Sequence, residues 1–237
     1  SVSGKLTIRG TTAKPSIIGN VQFDEAGFIL AYTNSVVKLG NSPIAFDESG
    51  IHFKDLSIQD VFNNKALLNG SLLTTNYQDY RFDLDFSAED FIVMNSTAKE
   101  NATYYGIIRL DCDAQLRGDL NLPDITIKTR LRDGTKFTYV YQRNDTAFNS
   151  EAGIVEFIDV RKRLHLLPEA SDSLSPVLSG YRITAIVDVD DKSEFNIVLD
   201  PVSGDRLEVK GNGSFNYDLN PTGQMSLTGI ISEDRGL

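Results

Sequence analysis

The chain has 237 residues, enough for a core without disulfide staples. Its net charge of -10 argues against nucleic acid as a partner, because neutralising phosphates needs a basic surface. One cysteine, Cys112, excludes an internal disulfide, and no apolar run approaches the roughly 18 residues of a membrane helix.

The first residues, SVSGKLTIRG, already read as strand, with Leu6 and Ile8 alternating against Lys5, Thr7 and Arg9. No leader is visible, so the expectation is a piece of a longer protein. Short strands follow at Val21–Phe23, Phe28–Leu30, Val36–Leu39 and Ile44–Phe46. Ile51–Phe53 and Leu56–Ile58 flank Lys54–Asp55. Ala66 to Leu73 reads as a strand broken at Asn69–Gly70. Tyr80, Phe82, Leu84 and Phe86 then alternate with Arg81, Asp83 and Asp85, the cleanest period of two in the chain. Ser87–Phe91 has the composition of a helical first turn.

Residues 106–116 read as one long strand. Pro123–Leu131 and Lys136–Tyr141 read as a hairpin across Asp133–Gly134. The segment 143–179 is the least regular. It holds an apolar patch at Ile154–Val160, the basic run Arg161–Lys162–Arg163 and a loop at 171–176. From Tyr181 the alternation resumes. Residues 195–230 read as a four-strand antiparallel meander, punctuated at 201–204, at Gly211–Asn212–Gly213 and at 220–223. Glycine-bounded alternating units recur at 4–10, 213–219 and 223–229. They point to a stack of similar rungs rather than a Greek key.

Catalytic residues are expected to be none, and likewise metal ligands and cofactors. His52 and His165 have no serine or carboxylate at a motif spacing. Asp188, Asp190 and Asp191 resemble a calcium loop but lack its glycine and distal glutamate. Asp111 and Asp113 fit the wet face of a strand opposite Cys112, itself a small buried apolar residue. Triplets such as Asn69-Gly70-Ser71 and Asn95-Ser96-Thr97 matter only on a glycosylating route.

Four stretches carry a family resemblance: GKLTIRGTTAKPSIIGNVQF (4–23), NNKALLNGSLLTTNYQDYRFDLDFSAEDFIVMNST (63–97), YYGIIRLDCDAQLRGDLNLPDITIKTRLRDGTKF (104–137) and FNIVLDPVSGDRLEVKGNGSFNYDLNPTGQMSLTG (195–229). Together they resemble the C-terminal domain of the TamB family, the translocation and assembly module subunit, in its Bacteroidetes-type, AsmA-like version. The polar end ISEDRGL departs from the alternating strand expected there.

The resemblance implies an all-β fold over 1–237: an elongated, curved, antiparallel-rich sheet (a β-taco) with a hydrophobic inner groove. It implies a periplasmic location, with the full-length protein anchored in the inner membrane. The implied work is non-enzymatic: phospholipid transport to the outer membrane and assembly of outer-membrane proteins with a TamA or BamA-type barrel. The residues expected to line or support the groove against phospholipid acyl chains are Phe82, Leu84, Phe86, Ile108, Leu110, Leu116, Phe195, Ile197, Leu199, Phe215, Tyr217 and Leu227. The rival readings are a chaperone surface that pairs with strands of outer-membrane proteins, and a structural or carbohydrate-binding module. The absence of Trp and the inward spacing of the aromatics disfavour the last.

Overall fold

The computed structural model describes residues 1–11, 14–24, 26–30, 33–140, 155–158, 180–200 and 204–232. Among these there are strands and turns but no α-helix. The strands are β1 (Val2–Thr11), β2 (Lys14–Phe23), β3 (Gly27–Leu30), β4 (Ser35–Leu39), β5 (Ile44–Asp47), β6 (Gly50–Gln59), β7 (Lys65–Leu73) and β8 (Arg81–Ser96). They continue with β9 (Tyr104–Asp119), β10 (Leu122–Leu131), β11 (Lys136–Val140), β12 (Val155–Ile158), β13 (Arg182–Val189) and β14 (Glu194–Asp200). The last are β15 (Asp205–Lys210), β16 (Asn212–Leu219) and β17 (Met225–Ser232). All seventeen belong to one sheet.

The long strands explain how that sheet is built. β8 and β9 each run 16 residues. The half of β9 from Leu110 to Asp119 pairs with β10, and the half from Tyr104 to Ile107 pairs with β11. The turn between β10 and β11 therefore does not reverse the chain. It carries the same rung around a corner. The next rung repeats the arrangement: β13 runs parallel to β10 and β14 parallel to β11. In the rung after that, β15 pairs with β14 and β16 with β13, joined through Gly211. β17 pairs with β16.

On the other side of β9 the same corner runs through β8, β7 and β6 to β4 and β5. β6 pairs with β5 through its first half and with β4 through its last residues. The remaining ladders are β1 with β2, β2 with β5, β3 with β4 and β3 with β12.

Three expectations are corrected here. Asp133–Gly134 does not close a hairpin, because β10 and β11 both pair with β9 and not with each other. The turn instead hangs on Arg109. Arg132 N donates to Arg109 O at 2.8 Å, and the Thr135 hydroxyl joins Arg109 N and O at 3.1 and 3.0 Å. Residues 195–230 are likewise not a simple meander, since β15 and β16 are consecutive parts of one rung. Ser87–Phe91 is not a helical turn. Ser87 and Ala88 sit opposite Asp113 and Cys112, and the register slips at Glu89–Asp90, where Asp90 takes φ 50-odd degrees positive.

β7 is also continuous rather than broken at Asn69–Gly70. Gly70 takes φ 111°, and a Cβ there would lie 2.0 Å from the Asp83 carbonyl oxygen, so only glycine lets the strands approach this closely.

The corner is made of these slips. In β6 the register shifts between Phe53 and Leu56, with Asp55 at φ 48°. Asn69 Oδ1 accepts from Asp55 N at 2.7 Å, and the Ser42 hydroxyl donates to Asp55 O at 3.0 Å. Bulges bend a strand and increase its twist, so a line of them folds a sheet. The line ends at the turn between β13 and β14, where Glu194 N donates to Thr135 O at 3.0 Å and Thr135 and Ser193 are fully buried.

Candidate functional site

The strand register sorts the side chains into two faces. Because Cβ atoms alternate, residues directly opposite one another across the ladders share a face. One row runs Leu6, Gly19, Phe46, Ile51, Leu72, Phe82, Gly118, Pro123. The next runs Phe53, Gly70, Leu84, Leu116, Ile125, Ile183, Leu219, Met225. A third runs Leu56, Leu68, Phe86, Ala114, Ile127, Ala185, Tyr217, Leu227. A fourth runs Ile58, Ala66, Ala88, Cys112, Thr129, Val187, Phe215, Gly229. These rows carry no charge. They hold two hydroxyls, those of Tyr217 and Thr129, and that of Thr129 is turned back onto Asp111 O at 2.7 Å.

The opposite face is polar and ion-paired. Arg117 bridges Asp83 at 3.2 Å and Asp85 at 2.7 Å, and Arg182 meets Asp124 at 3.1 Å. Beyond the corner, Lys136 and Lys210 flank Glu194 at 3.2 and 3.6 Å.

The predicted residues fall as follows. Phe82, Leu84, Phe86, Leu116, Phe215, Tyr217 and Leu227 stand in the uncharged rows. Leu110 lies opposite Phe91 and Leu131 at the corner. Phe195 lies between Phe137 and Val209, and Ile197 between Tyr139 and Leu207, in the second arm. The Phe137 and Phe195 rings meet edge to face, centroids 6.5 Å apart. Ile108 sits opposite Met94 where the β8–β9 register slips, and Leu199 is half exposed at the slip between Val198 and Asp200. Neither is tied to the rows by the ladder. Sequence reasoning passed over Leu72, Ile125, Ile127 and Val187, although each stands in the same alternating runs.

The uncharged face has two regimes. Toward β3 and β4 it closes on itself: Val37, Ala66 and Phe91 are at most 3 % exposed, packed with Phe28, Leu30, Ile58, Phe86, Ala88 and Val93. Ser35 fastens this closure by donating to Val93 O at 2.9 Å. Toward the last rungs it opens: Met225 and Leu227 are 67 and 68 % exposed. Between these regimes, at the corner, a cavity of about 340 Å³ is lined by Leu131, Val187, Val189, Phe195, Phe215 and Leu227 with Gly211, Asn212 and Gly213.

One polar cluster was hidden from the sequence. His52 Nδ1 lies 2.8 Å from Ser71 Oγ, while Nε2 lies 2.9 Å from Asp47 Oδ1 and 3.1 Å from Ser49 Oγ. The four residues come from β5, β6, β7 and the β5–β6 turn. The Ser49 hydroxyl first, then His52, holds the Asp47 carboxyl far below the usual carboxylate range. The cluster lies on the polar face, alternating with Ile51 and Leu72, and its contacts run across three neighbouring strands. It therefore reads as a cross-strand strut. Burial, then the charge of Asp113, pushes the Cys112 thiol up, consistent with an inert apolar side chain. Asp190 accepts from Lys192 N, as in a turn. Among the described residues there is no group of three or more metal-ligating side chains, and no helix long and apolar enough to cross a membrane. His165, the basic run 161–163 and the loop 171–176 lie outside the described residues.

A profile of the TamB C-terminal domain matches residues 54–236, so the match begins after β5 and leaves the first expected stretch, 4–23, outside it. No curated protein and no solved structure matches the chain. The matched family is one of envelope proteins that span the periplasm, and it is not in general an enzyme family. On a match that covers most of its length, and on a single open all-β sheet, the chain belongs to the TamB C-terminal domain family, whose setting is the outer-membrane assembly system with TamA-type partners.

Proposed function

We propose that this chain is a non-enzymatic, lipid-conducting segment of a longer protein anchored in the inner membrane. In this reading residues 1–237 act as one domain, and phospholipid acyl chains move along its uncharged face toward an outer-membrane barrel of the TamA or BamA type. The observation that carries it is the set of cross-strand rows in which apolar residues from up to eight strands meet with no charge between them. Moving a two-tailed lipid through water exposes roughly 30 methylenes at about 0.8 kcal/mol each, a barrier on the order of 24 kcal/mol. A dry face lowers that barrier without chemistry.

The test uses neighbours on opposite faces. Leu116→Arg places a charge in the second row, and Gln115→Arg places one on the polar side. The first should stop lipid transfer to the outer membrane with strand content unchanged by circular dichroism, and the second should leave it intact. Equal transfer by both variants refutes the path.

A second reading rests on β17. Its described pairing is with β16 alone, and Met225, Leu227 and Ile230 are exposed on its two faces. Such an edge can add a strand from an unfolded outer-membrane protein. Crosslinks to peptide rather than lipid would favour it.

A further inference from the structure

We infer that the corner cavity between the two arms is a discrete site for one alkyl chain of about eleven carbons, entered from the open half of the uncharged face. The inference rests on the lipid reading above and deepens it: in that reading chains travel along the rows, and the cavity is where one chain stops.

The argument begins with size. A methylene occupies about the volume of a water in the liquid, roughly 30 Å³. The 340 Å³ of this half-open cavity is therefore on the order of eleven methylenes, the size of one medium-length chain. The walls come from both arms. Leu131, Val187 and Val189 belong to one arm and Phe195 to the other, so the pocket exists because the corner brings β13 and β14 to an angle. Glycines keep it hollow. The Phe215 ring lies over Gly213 and Gly229, and a Cβ on Gly213 would meet that ring at 3.1 Å and on Gly229 closer still. Side chains at either position would drive the ring toward the space it borders.

The charges nearest in sequence are matched among themselves: Arg130 stands opposite Asp188 across the β10–β13 ladder, on the face that alternates with Leu131, Val187 and Val189, and Arg132 is paired with Asp111 at 2.8 Å. Glu194, next to Phe195, is already neutralised by Lys136 and Lys210, and Lys210, next to Gly211, is held by Glu208 at 2.7 Å. The site therefore selects a chain and leaves its head in water. A two-tailed lipid lodges one tail here while the second stays on the open rows.

The experiment is a chain-length series on the intact purified protein: saturated fatty acids and n-alkanols of 6 to 16 carbons, by calorimetry. Burial of each methylene should tighten binding about fourfold, up to about eleven carbons and no further. Stoichiometry should be one, and acids and alcohols of equal length should bind alike. Affinity that climbs through sixteen carbons, or several chains per protein, overturns the discrete site. Val187→Trp fills the cavity and should abolish saturable binding. Gly229→Ala, a smaller change, should weaken the longest chains most.

Phospholipid crosslinking from residue 84, remote from the cavity, separates the two ideas. If it persists while the series fails, only the discrete site is lost. If both fail, the lipid reading falls and takes the site with it.

Discussion

Arg109 on β9 grips Asp90 on β8, with Nε donating to Oδ1 at 3.0 Å, and Asp90 holds a left-handed backbone at φ 51°. One residue thus makes the bend and its partner latches it. The same Arg109 holds the β10–β11 turn through its main chain, so three successive rungs turn at one place.

The two roles of Asp90 are separable. Asp90→Gly removes the latch but favours the bend, whereas Asp90→Ala loses both. The pair is about one third exposed, so the latch itself is worth under about 1 kcal/mol. Left-handed strain adds about 1 kcal/mol more for alanine. Urea unfolding should rank wild type first, then glycine, then alanine.

Glycines at positive φ should divide by what faces them. Gly70→Ala forces a Cβ against the Asp83 carbonyl at positive φ and should cost about 3 kcal/mol or more. Gly204 also has positive φ, 80°, but nothing lies within 4 Å of its Cβ position, so Gly204→Ala should cost only about 1 kcal/mol. Equal losses in thermal melts would remove close strand approach as the reason for Gly70.

The closed and open halves of the uncharged face predict opposite sensitivities. Phe91→Ala empties the packed end and should cost about 3–5 kcal/mol. Leu227→Ala, at a site 68 % exposed, should cost under about 1 kcal/mol while reducing lipid capture. Denaturation of the two variants side by side checks this.

Asp47 supplies a pH signature. Its folded pKa lies below its unfolded value because Ser49 and His52 stabilise the anion. Its contribution is complete above the unfolded pKa, about 4. It is lost as pH falls from there through the folded value. Asp47→Asn should therefore be less stable than wild type at pH 6, and the gap should narrow steadily as pH falls below about 4. A gap that is as large at pH 2 as at pH 6 contradicts the strut.

Much of this was legible because burial imposes a period of two. Phe82, Leu84 and Phe86 against Arg81, Asp83 and Asp85 named β8 and its faces without a partner in view. The corner was not legible. Asp133–Gly134 and Gly211 announce positive φ, and a local angle does not say whether the chain reverses or rounds a bend. That depends on β9 being long enough to pair with both β10 and β11. Lys54–Asp55 looked like a break between strands and is a bulge inside β6. The Ser71–His52–Asp47 strut draws on three strands, so no spacing along the chain could reveal it.

The central claim is that alkyl chains contact the uncharged face and not its back. A photoreactive benzoyl-phenylalanine in place of Leu84, compared with one in place of Asp85, tests it in the full-length protein within its own envelope. The account expects phospholipid adducts from position 84 and none from 85. Adducts at equal yield from both positions, or from neither, would contradict it.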